Sequence, residues 1–174
     1  MVQDATSSSK DPTHIELPNF HIPHMEKIEW MVDTFGWAME SVDPGSFVAA
    51  GGAPFPSYSY TVNFTEVTAF PNVVVCGLTP VACKGLFDLV VDVVAAGNTI
   101  EIGTEILGLF DGEQRAKFIP VSLLQWGSLF ATATAWHKAK PFSVVQLLWP
   151  DRNGFLPDEV GFDQKVKFAQ PLLG

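Results

Sequence analysis

Residues 72–97 have the sequence NVVVCGLTPVACKGLFDLVVDVVAAG, which carries the strongest structural signal of the chain. Its opening run, residues 72–77, is continuously apolar at its centre, which predicts a strand covered on both faces of a sheet. Thr79 is a suitable N-cap, Pro80 suits the first helical turn, and Gly97 ends the amphipathic pattern between them. The sequence therefore predicts a buried strand followed directly by a long helix.

The predicted helix has one apolar stripe that we expect to face the core, formed by Ala82, Leu86, Leu89, Val90, Val93 and Val94. On the N-terminal side, the patterns predict a helix over residues 24–35, a strand over 37–42, a loop over 44–57 and a strand over 58–64. On the C-terminal side, they predict strands over 105–110 and 115–119, a helix over 122–138 and a central strand over 143–149. Asp111-Gly112 is a typical hairpin dipeptide and should join the first two of these strands.

Two or three helices interleaved with strands that are joined by short turns indicate the α+β class, with a largely antiparallel sheet. The chain has 174 residues, which suits one domain with a sizeable core. Residues 1–23 are polar and contain Pro12, Pro18 and Pro23, so we expect a flexible N-terminal arm there. We therefore expect a single α+β domain over residues 24–174.

The composition excludes some classes of function. A net charge of −9 argues against nucleic acid and anionic membranes as partners, because both are bound through Lys and Arg. The uncharged stretch 118–136 is interrupted by proline and polar residues, which argues against a membrane span. The N-terminus lacks the features of a secretory signal, so we expect a cytoplasmic protein whose two cysteines, Cys76 and Cys83, are reduced.

Several motifs resemble a known family. They are Tyr60-Thr61-Val62, Thr65-Glu66, Pro71-Asn72-Val73-Val74-Val75-Cys76-Gly77-Leu78, the block from Gln146 to Pro157 with Trp149-Pro150-Asp151 at its centre, Gly161-Phe162-Asp163, and Gln170-Pro171-Leu172-Leu173. Over residues 28–174 the chain is similar to the bacterial family catalogued as domain of unknown function 4262. The chain has Asn63-Phe64 where that family tends to have Gly-Leu, and Phe70-Pro71-Asn72 where it tends to have His-Pro-Glu. The resemblance implies the fold and a bacterial origin but no activity.

A more distant likeness is to the flavin-binding split barrels. It rests only on the order of elements: a Tyr-Thr strand, a strand followed by a proline-capped helix, and later hairpins. The likeness implies a split-barrel-like sheet and makes a flavin-binding protein one alternative.

Four polar residues are candidate catalytic groups: Tyr60, His137, Asp151 and Arg152. Tyr60 could donate a hydrogen bond, and His137 could act as a general base, although a histidine at a helix C-terminus also interacts with the helix dipole. Asp151 and Arg152 follow the central strand, where a carboxylate could bind a hydroxyl group. Asp before Arg-Asn-Gly is also a turn former, so a structural role stays open.

The chain has 14 Phe and 5 Trp, and several of these side chains fall in predicted loops. Apolar rings in loops can line a pocket, so we expect Phe47, Phe55, Trp149 and Phe155 to contact a ligand, together with Glu66, whose carboxyl group could act as an acid. The ligand should be a small apolar or aromatic molecule. We predict neither a metal nor a cofactor, because His21 and His24 have an unspecific spacing and the sequence lacks a phosphate-binding glycine loop.

Charge is divided unevenly along the chain. Residues 115–140 contain four basic residues and no acid, whereas residues 29–113 contain eleven acids and one base. Such asymmetry suits either a site for a carboxylate or a homodimer joined through opposite charges. Our leading hypothesis is a small-molecule-binding protein, with a metal-free isomerase or cyclase as its enzymatic form. The alternatives are a protein-interaction module of immunity or regulatory type and the flavin-binding split barrel.

Overall fold

The computed structural model describes residues 23–49, 51–138 and 140–174. Within them the strands are β1 (Ala38–Val42), β2 (Tyr58–Val62), β3 (Asn72–Cys76), β4 (Glu105–Leu107), β5 (Arg115–Pro120) and β6 (Val144–Leu148). They form one sheet in the order β1-β2-β3-β6-β5-β4. The central pair β3 and β6 is parallel, and the other neighbours are antiparallel. The α+β class and the largely antiparallel sheet are thus confirmed.

The sheet is open, with β1 and β4 as its edge strands. The split-barrel-like arrangement is therefore wrong, because the two edge strands do not pair to close the sheet. The flavin-binding alternative, which rests on the order of elements, stays a prediction.

The helices of the described residues are α1 (His24–Phe35), α2 (Phe64–Thr68), α3 (Pro80–Ala95), α4 (Leu123–Trp126) and α5 (Ala131–His137), with short 3-10 turns at Gly127–Phe130 and Lys167–Ala169. The side chain of Thr79 caps α3 by accepting a hydrogen bond from the backbone N–H of Ala82, and Pro80 begins the helix, as predicted. Among these helices none is long and apolar enough to cross a bilayer.

Apolar side chains cover both faces of the sheet. On one face, α3 packs Phe87 and Val90 against Val73, Val75 and other residues of the central strands. On the other face, the α1 residue Ile28 and residues 129–133 contact a second cluster. This two-sided burial explains why β2, β3 and β6 are buried at every position.

Three predicted elements differ in extent from the structure, and one of them is the strand predicted over residues 105–110, which ends at Leu107 before the left-handed Gly108. The strand predicted over residues 58–64 ends at Val62, because Asn63 adopts a left-handed backbone with φ of 62° and the chain then turns into α2. The helix predicted over residues 122–138 is split into α4, a 3-10 turn and α5. The tighter 3-10 turn places the consecutive residues Leu129 and Phe130 together in the core.

The predicted apolar stripe of α3 is displaced. The buried residues of the helix are Cys83, Leu86, Phe87 and Val90, whereas Ala82 and Leu89 are exposed. The helix face that carries Phe87 is buried because the Phe87 ring packs edge to face on the Trp37 ring, with 6.1 Å between the centroids. Leu89 is left on the surface, where it borders a groove.

The C-terminal residues are bound to the centre of the sheet through two buried glutamines. Gln146 of β6 donates to the carbonyl of Pro171 at 2.8 Å and accepts from the N–H of Leu173 at 3.0 Å. The Gln170 side chain, in turn, bonds both the N–H and the carbonyl of Trp149. We call residues 170–173 the C-terminal clasp, since their bonds fix the end of the chain against β6.

Candidate functional site

Three of the predicted site residues, Phe47, Phe55 and Tyr60, belong to a row of packed aromatic rings. Phe47 contacts Phe55 at 5.7 Å between ring centroids, Phe55 contacts Tyr58 at 5.5 Å, and Tyr58 stacks on Tyr60 at 6.0 Å. The row continues from Tyr60 to Phe130 at 5.1 Å. These rings fill the interior between β2 and the segment that contains α4 and α5.

The Tyr60 side chain lies between Tyr58 and Phe130 in this row and is buried. It accepts a hydrogen bond from the backbone N–H of Thr132 at 3.2 Å. Burial raises the pKa of Tyr60, so the phenol stays protonated at neutral pH. A protonated phenol can donate a hydrogen bond, as the sequence hypothesis required.

The predicted site residues Trp149, Asp151, Arg152 and Phe155 lie at and after the end of β6. The indole N–H of Trp149 donates to the carbonyl of Cys76 at 2.8 Å, which ties this end of β6 to β3. The ring packs against the core cluster on the α3 face, opposite to Tyr60. Arg152 is exposed, and the Phe155 ring lies over Gly161.

Asp151 organises the loop in which it lies. Its two carboxylate oxygens accept from the backbone N–H groups of Asn153, Phe155 and Asp163, at 2.8, 3.0 and 2.8 Å. Burial on its own would raise the pKa of Asp151, but these N–H groups outweigh it and lower the pKa. The carboxylate is therefore ionised and already satisfied by its own loop.

Glu66 of α2 and His137 at the end of α5 do come together. Both line a cleft of about 500 Å³, which we call the α5 cleft, with Asn63, Trp136, Lys138 and Lys140 among its other residues. The His137 ring stacks on Phe142 at 4.9 Å, and its Nε2 atom is buried without a hydrogen-bond partner in the described part of the chain. Burial lowers the pKa of His137 more than the nearby Glu66 raises it, which favours the neutral imidazole.

The nine predicted residues are thus distributed over both faces of the sheet and the loop after β6. Only Glu66 and His137 share one of the larger clefts, and the role of each residue stays a prediction. Among the described residues, no three His, Cys, Asp or Glu side chains are grouped so that they could hold a metal ion.

The structure also shows a cleft that the sequence analysis missed. It lies along the edge strand β1, between α1 and α3, and has a volume of about 490 Å³. We call it the α1–β1 cleft. Its apolar lining residues are Ile28, Met31, Phe35, Trp37 and Met39, and its polar ones are His24, Lys27, Glu40, Ser41, Lys84 and Asp88.

Glu40 is one of the polar groups that line the α1–β1 cleft, and 15% of its side chain is exposed. Its Oε2 atom lies 2.6 Å from Nε2 of His24 and accepts a hydrogen bond from the Thr132 hydroxyl at 2.8 Å. The backbone N–H of the same Thr132 donates to Tyr60, so one residue of α5 contacts both the carboxylate and the phenol. In the described part of the chain, both contacts to the carboxylate fall on Oε2.

The sequence contained only part of the signal for this cleft. The helical spacing places His24, Ile28, Met31 and Phe35 on one face of α1, and that face lines the cleft. Nothing in the local pattern indicates that Thr132, far along the chain, would contact Glu40.

A third cleft, the α3 groove, is nearly all apolar and has a volume of about 480 Å³. The predicted ligand-binding residue Trp149 lines it together with Leu78, Leu86, Leu89 and Phe110. This groove lies on the face of the sheet opposite to Tyr60, and Phe55, another of the predicted rings, lines a different and shallower cleft with Pro54 and Pro56.

Residues 31–163 match the family model described as a domain of unknown function (DUF4262). The chain belongs to the DUF4262 family. The matched part of this DUF4262 chain includes all six strands, helix α3, Glu40 and Thr132. Neither a curated protein nor a solved structure is found to match it.

Proposed function

We propose that this DUF4262 protein binds a small, largely apolar organic molecule in the α1–β1 cleft. One observation supports the proposal above all: a mostly buried carboxylate, Glu40, shares the cleft with a wall of five apolar side chains. A volume of about 490 Å³ is sufficient for a small organic ligand. Such a ligand would gain most of its binding free energy from apolar burial, at about 25 cal/mol per Å².

Glu40 would determine the orientation of the ligand. His24 and Thr132 both contact Oε2, so Oε1 is the atom that can accept a hydrogen bond from a ligand hydroxyl or ammonium group. The two contacts also hold the carboxylate in place before a ligand arrives, which lowers the cost of ordering it. The ligand should therefore combine an apolar body with one donor group.

An enzymatic form of this function would transfer a proton without a metal. Glu40 could accept a proton from the bound molecule and return it at another atom, which is the requirement for an isomerisation or a cyclisation. This role differs from the sequence hypothesis, which assigned proton transfer to Tyr60, His137, Asp151 and Arg152. Tyr60 lies opposite Glu40 in the register of β1 and β2, and Thr132 links the two side chains by hydrogen bonds.

Benzylamine is a suitable probe, since it combines an aromatic ring with an ammonium group. Titration of the ¹⁵N-labelled protein, followed by NMR, should give saturable shifts at Glu40 and at the Trp37 indole, with Kd around 1 mM. Benzoate should bind more weakly because Glu40 repels it. Glu40→Gln should weaken benzylamine about tenfold, whereas Glu105→Gln, which removes an exposed acid of β4, should leave binding unchanged.

Two results would refute this proposal: shifts that do not saturate with benzylamine, and binding that Glu40→Gln does not weaken. Retained dispersion of the NMR spectrum of Glu40→Gln would show that the variant is folded. If either refuting result is obtained, the α1–β1 cleft is not the binding site.

A second candidate function is an interaction module, which the open edge of β1 favours. The side of β1 that faces away from β2 pairs with no strand in the described residues, and α1 runs beside it. An extended peptide could add to such an edge, with its side chains in the cleft. Hydrogen exchange distinguishes the two functions, because an added strand protects the outward β1 amides and benzylamine does not.

A bacterial origin and a cytoplasmic location also stay predictions. The first comes from the resemblance of the motifs and the second from the sequence of the N-terminus. Fractionation of cells that produce the protein would test the location directly.

A further inference from the structure

The α5 cleft has features that the proposed function does not use. It is separate from the α1–β1 cleft, because it contacts Met25 and Glu29 on α1, whereas the α1–β1 cleft contacts Lys27 and Met31 on another side of that helix. Its volume of about 500 Å³ is as large as that of the α1–β1 cleft.

The walls of the α5 cleft have opposite charges. Glu29 of α1 and Glu66 of α2 are the acids, and Lys138 and Lys140, which follow α5, are the bases. Within the described parts of the chain, none of the four takes part in an ion pair. Acids and bases that face one cleft without pairing leave both kinds of charge available to a ligand.

The backbone around this cleft is locally strained. Asn63 has φ of 62° and Lys138 has φ of 48°, which are two of the three positive values among the described non-glycine residues. The Asn63 amide connects the walls by donating to the carbonyl of Gly36 at 3.0 Å and accepting from the Trp136 indole at 3.3 Å. Backbone strain of this kind is frequent at binding sites, where the surrounding structure maintains it.

His137 provides an independent indication of a ligand. Its Nε2 atom is buried and has no hydrogen-bond partner in the described part of the chain, and a polar atom in that state is costly. The stacking of the ring on Phe142 prevents it from turning freely towards water. A bound molecule, or a water that it orders, would satisfy this atom.

We propose that the α5 cleft binds a small zwitterion, a molecule with one ammonium and one carboxylate group such as an amino acid. The ammonium group pairs with Glu66 and Glu29, and the carboxylate pairs with Lys140 and Lys138. The Trp136 side chain, which also lines the cleft, contacts the body of the bound ligand. A ligand with a single charge would satisfy one wall and be repelled by the other.

The test uses glycine, β-alanine and γ-aminobutyrate, in which the two charges are progressively further apart. Acetate and methylamine at equal ionic strength are the probes with a single charge. NMR of the ¹⁵N-labelled protein at pH 7 should show saturable shifts of the Trp136 indole and the Lys140 amide for at least one zwitterion. Its Kd should be below about 10 mM and at least fivefold lower than that of either control.

The variants Glu66→Gln and Lys140→Gln should each weaken the best zwitterion at least threefold. Lys165→Gln is the matched control, since it removes an exposed lysine outside the cleft and should change nothing. Equal binding of acetate, unaltered affinity in both cleft variants, or shifts that never saturate would each overturn the proposal. Benzylamine binding in the α1–β1 cleft is measured at different residues, so the two proposals can fail separately.

Discussion

Asp151 stabilises the loop after β6 by accepting hydrogen bonds from three backbone amides. Hydrogen bonds to a charged acceptor contribute about 1.5–3 kcal/mol each, although a single substitution removes only part of that. This residue belongs to the block that carries the family resemblance, between Trp149-Pro150 and Gly161. Its contacts show a structural reason for an aspartate at this position.

Asp151→Asn should lower the free energy of unfolding by about 2 kcal/mol at pH 7, because the amide group cannot accept all three bonds. The lowered pKa of Asp151 means that its contribution is present above the unfolded value near 3.9 and is lost as pH falls through the folded value. Urea unfolding at pH 7 and pH 3 checks both points: the variant and the native protein should converge in acid. Asp111→Asn in an exposed loop is the control, and an equal loss there would contradict this account.

Asn63 has a left-handed backbone and a side chain that connects Gly36 with Trp136. The resemblance implies glycine at this position, and a φ of 62° explains why glycine is suitable there. Asparagine adopts this conformation more readily than most residues and adds its two hydrogen bonds.

Asn63→Ala should therefore lose about 2–3 kcal/mol of stability, from two hydrogen bonds and the strain of a left-handed alanine. Asn63→Gly loses the hydrogen bonds and relieves the strain, so its cost should be smaller by about 1 kcal/mol. Chemical denaturation of the two variants measures the difference. A glycine variant less stable than the alanine variant would show that the backbone is not strained.

At the scale of elements, the end of β3 is closely packed against the C-terminal part of the chain. Gly77 has φ of 79°, and a Cβ atom at this position would lie only 2.4 Å from the carbonyl oxygen of Ala169. The close approach of the two backbones places residues 170–173 so that they reach Gln146 and Trp149.

Gly77→Ala should be destabilised by at least about 3 kcal/mol, since it combines left-handed strain with a backbone clash. Gly97→Ala is the matched control: φ is similar at 85°, but the space around the added Cβ is open. The control should lose only about 1–2 kcal/mol, which is the strain alone. Thermal unfolding of both variants tests this. Equal losses of stability would mean that the backbone at Ala169 moves away from the added Cβ atom without loss of stability.

Helix ends and turns that depend on neighbouring residues were predicted correctly from the sequence. The Thr79-Pro80 start of α3, the Gly36 end of α1 and the turn at Asp151 all depend on neighbouring residues, and they are present in the structure. The split of the helix after Ser122 depends instead on a distant requirement, the burial of Phe130 against Tyr60. That requirement is invisible in the spacing of apolar residues.

The candidate sites could be predicted even less, because each is assembled from separate parts of the chain. Glu66 and His137 were chosen for their chemistry, and only the packing of α2 and α5 brings them to one cleft. His24, Glu40 and Thr132 meet through three elements, and no motif connects them.

For the whole molecule, stability should depend on pH through His137. Burial lowers its pKa, so below about pH 6.5 the unfolded chain binds a proton that the folded protein does not. The free energy of unfolding should thus fall as pH decreases from 7 until the folded imidazole also binds a proton. Urea unfolding between pH 8 and pH 5 measures this slope, and His137→Gln should reduce it; an unchanged slope would exclude His137 as its source.

The parallel pairing of β3 with β6 has a consequence for how the chain could be divided. Strands β1 to β3 and strands β4 to β6 are each a continuous antiparallel meander in space, and residues 96–104 between α3 and β4 are exposed apart from the half-buried Ile100. If the chain is divided within those residues and the two fragments are expressed separately, they should bind each other by pairing β3 with β6 and rebuild the native sheet. The protein would then serve as a split reporter, in which proximity of two fused partners is read out as reassembly.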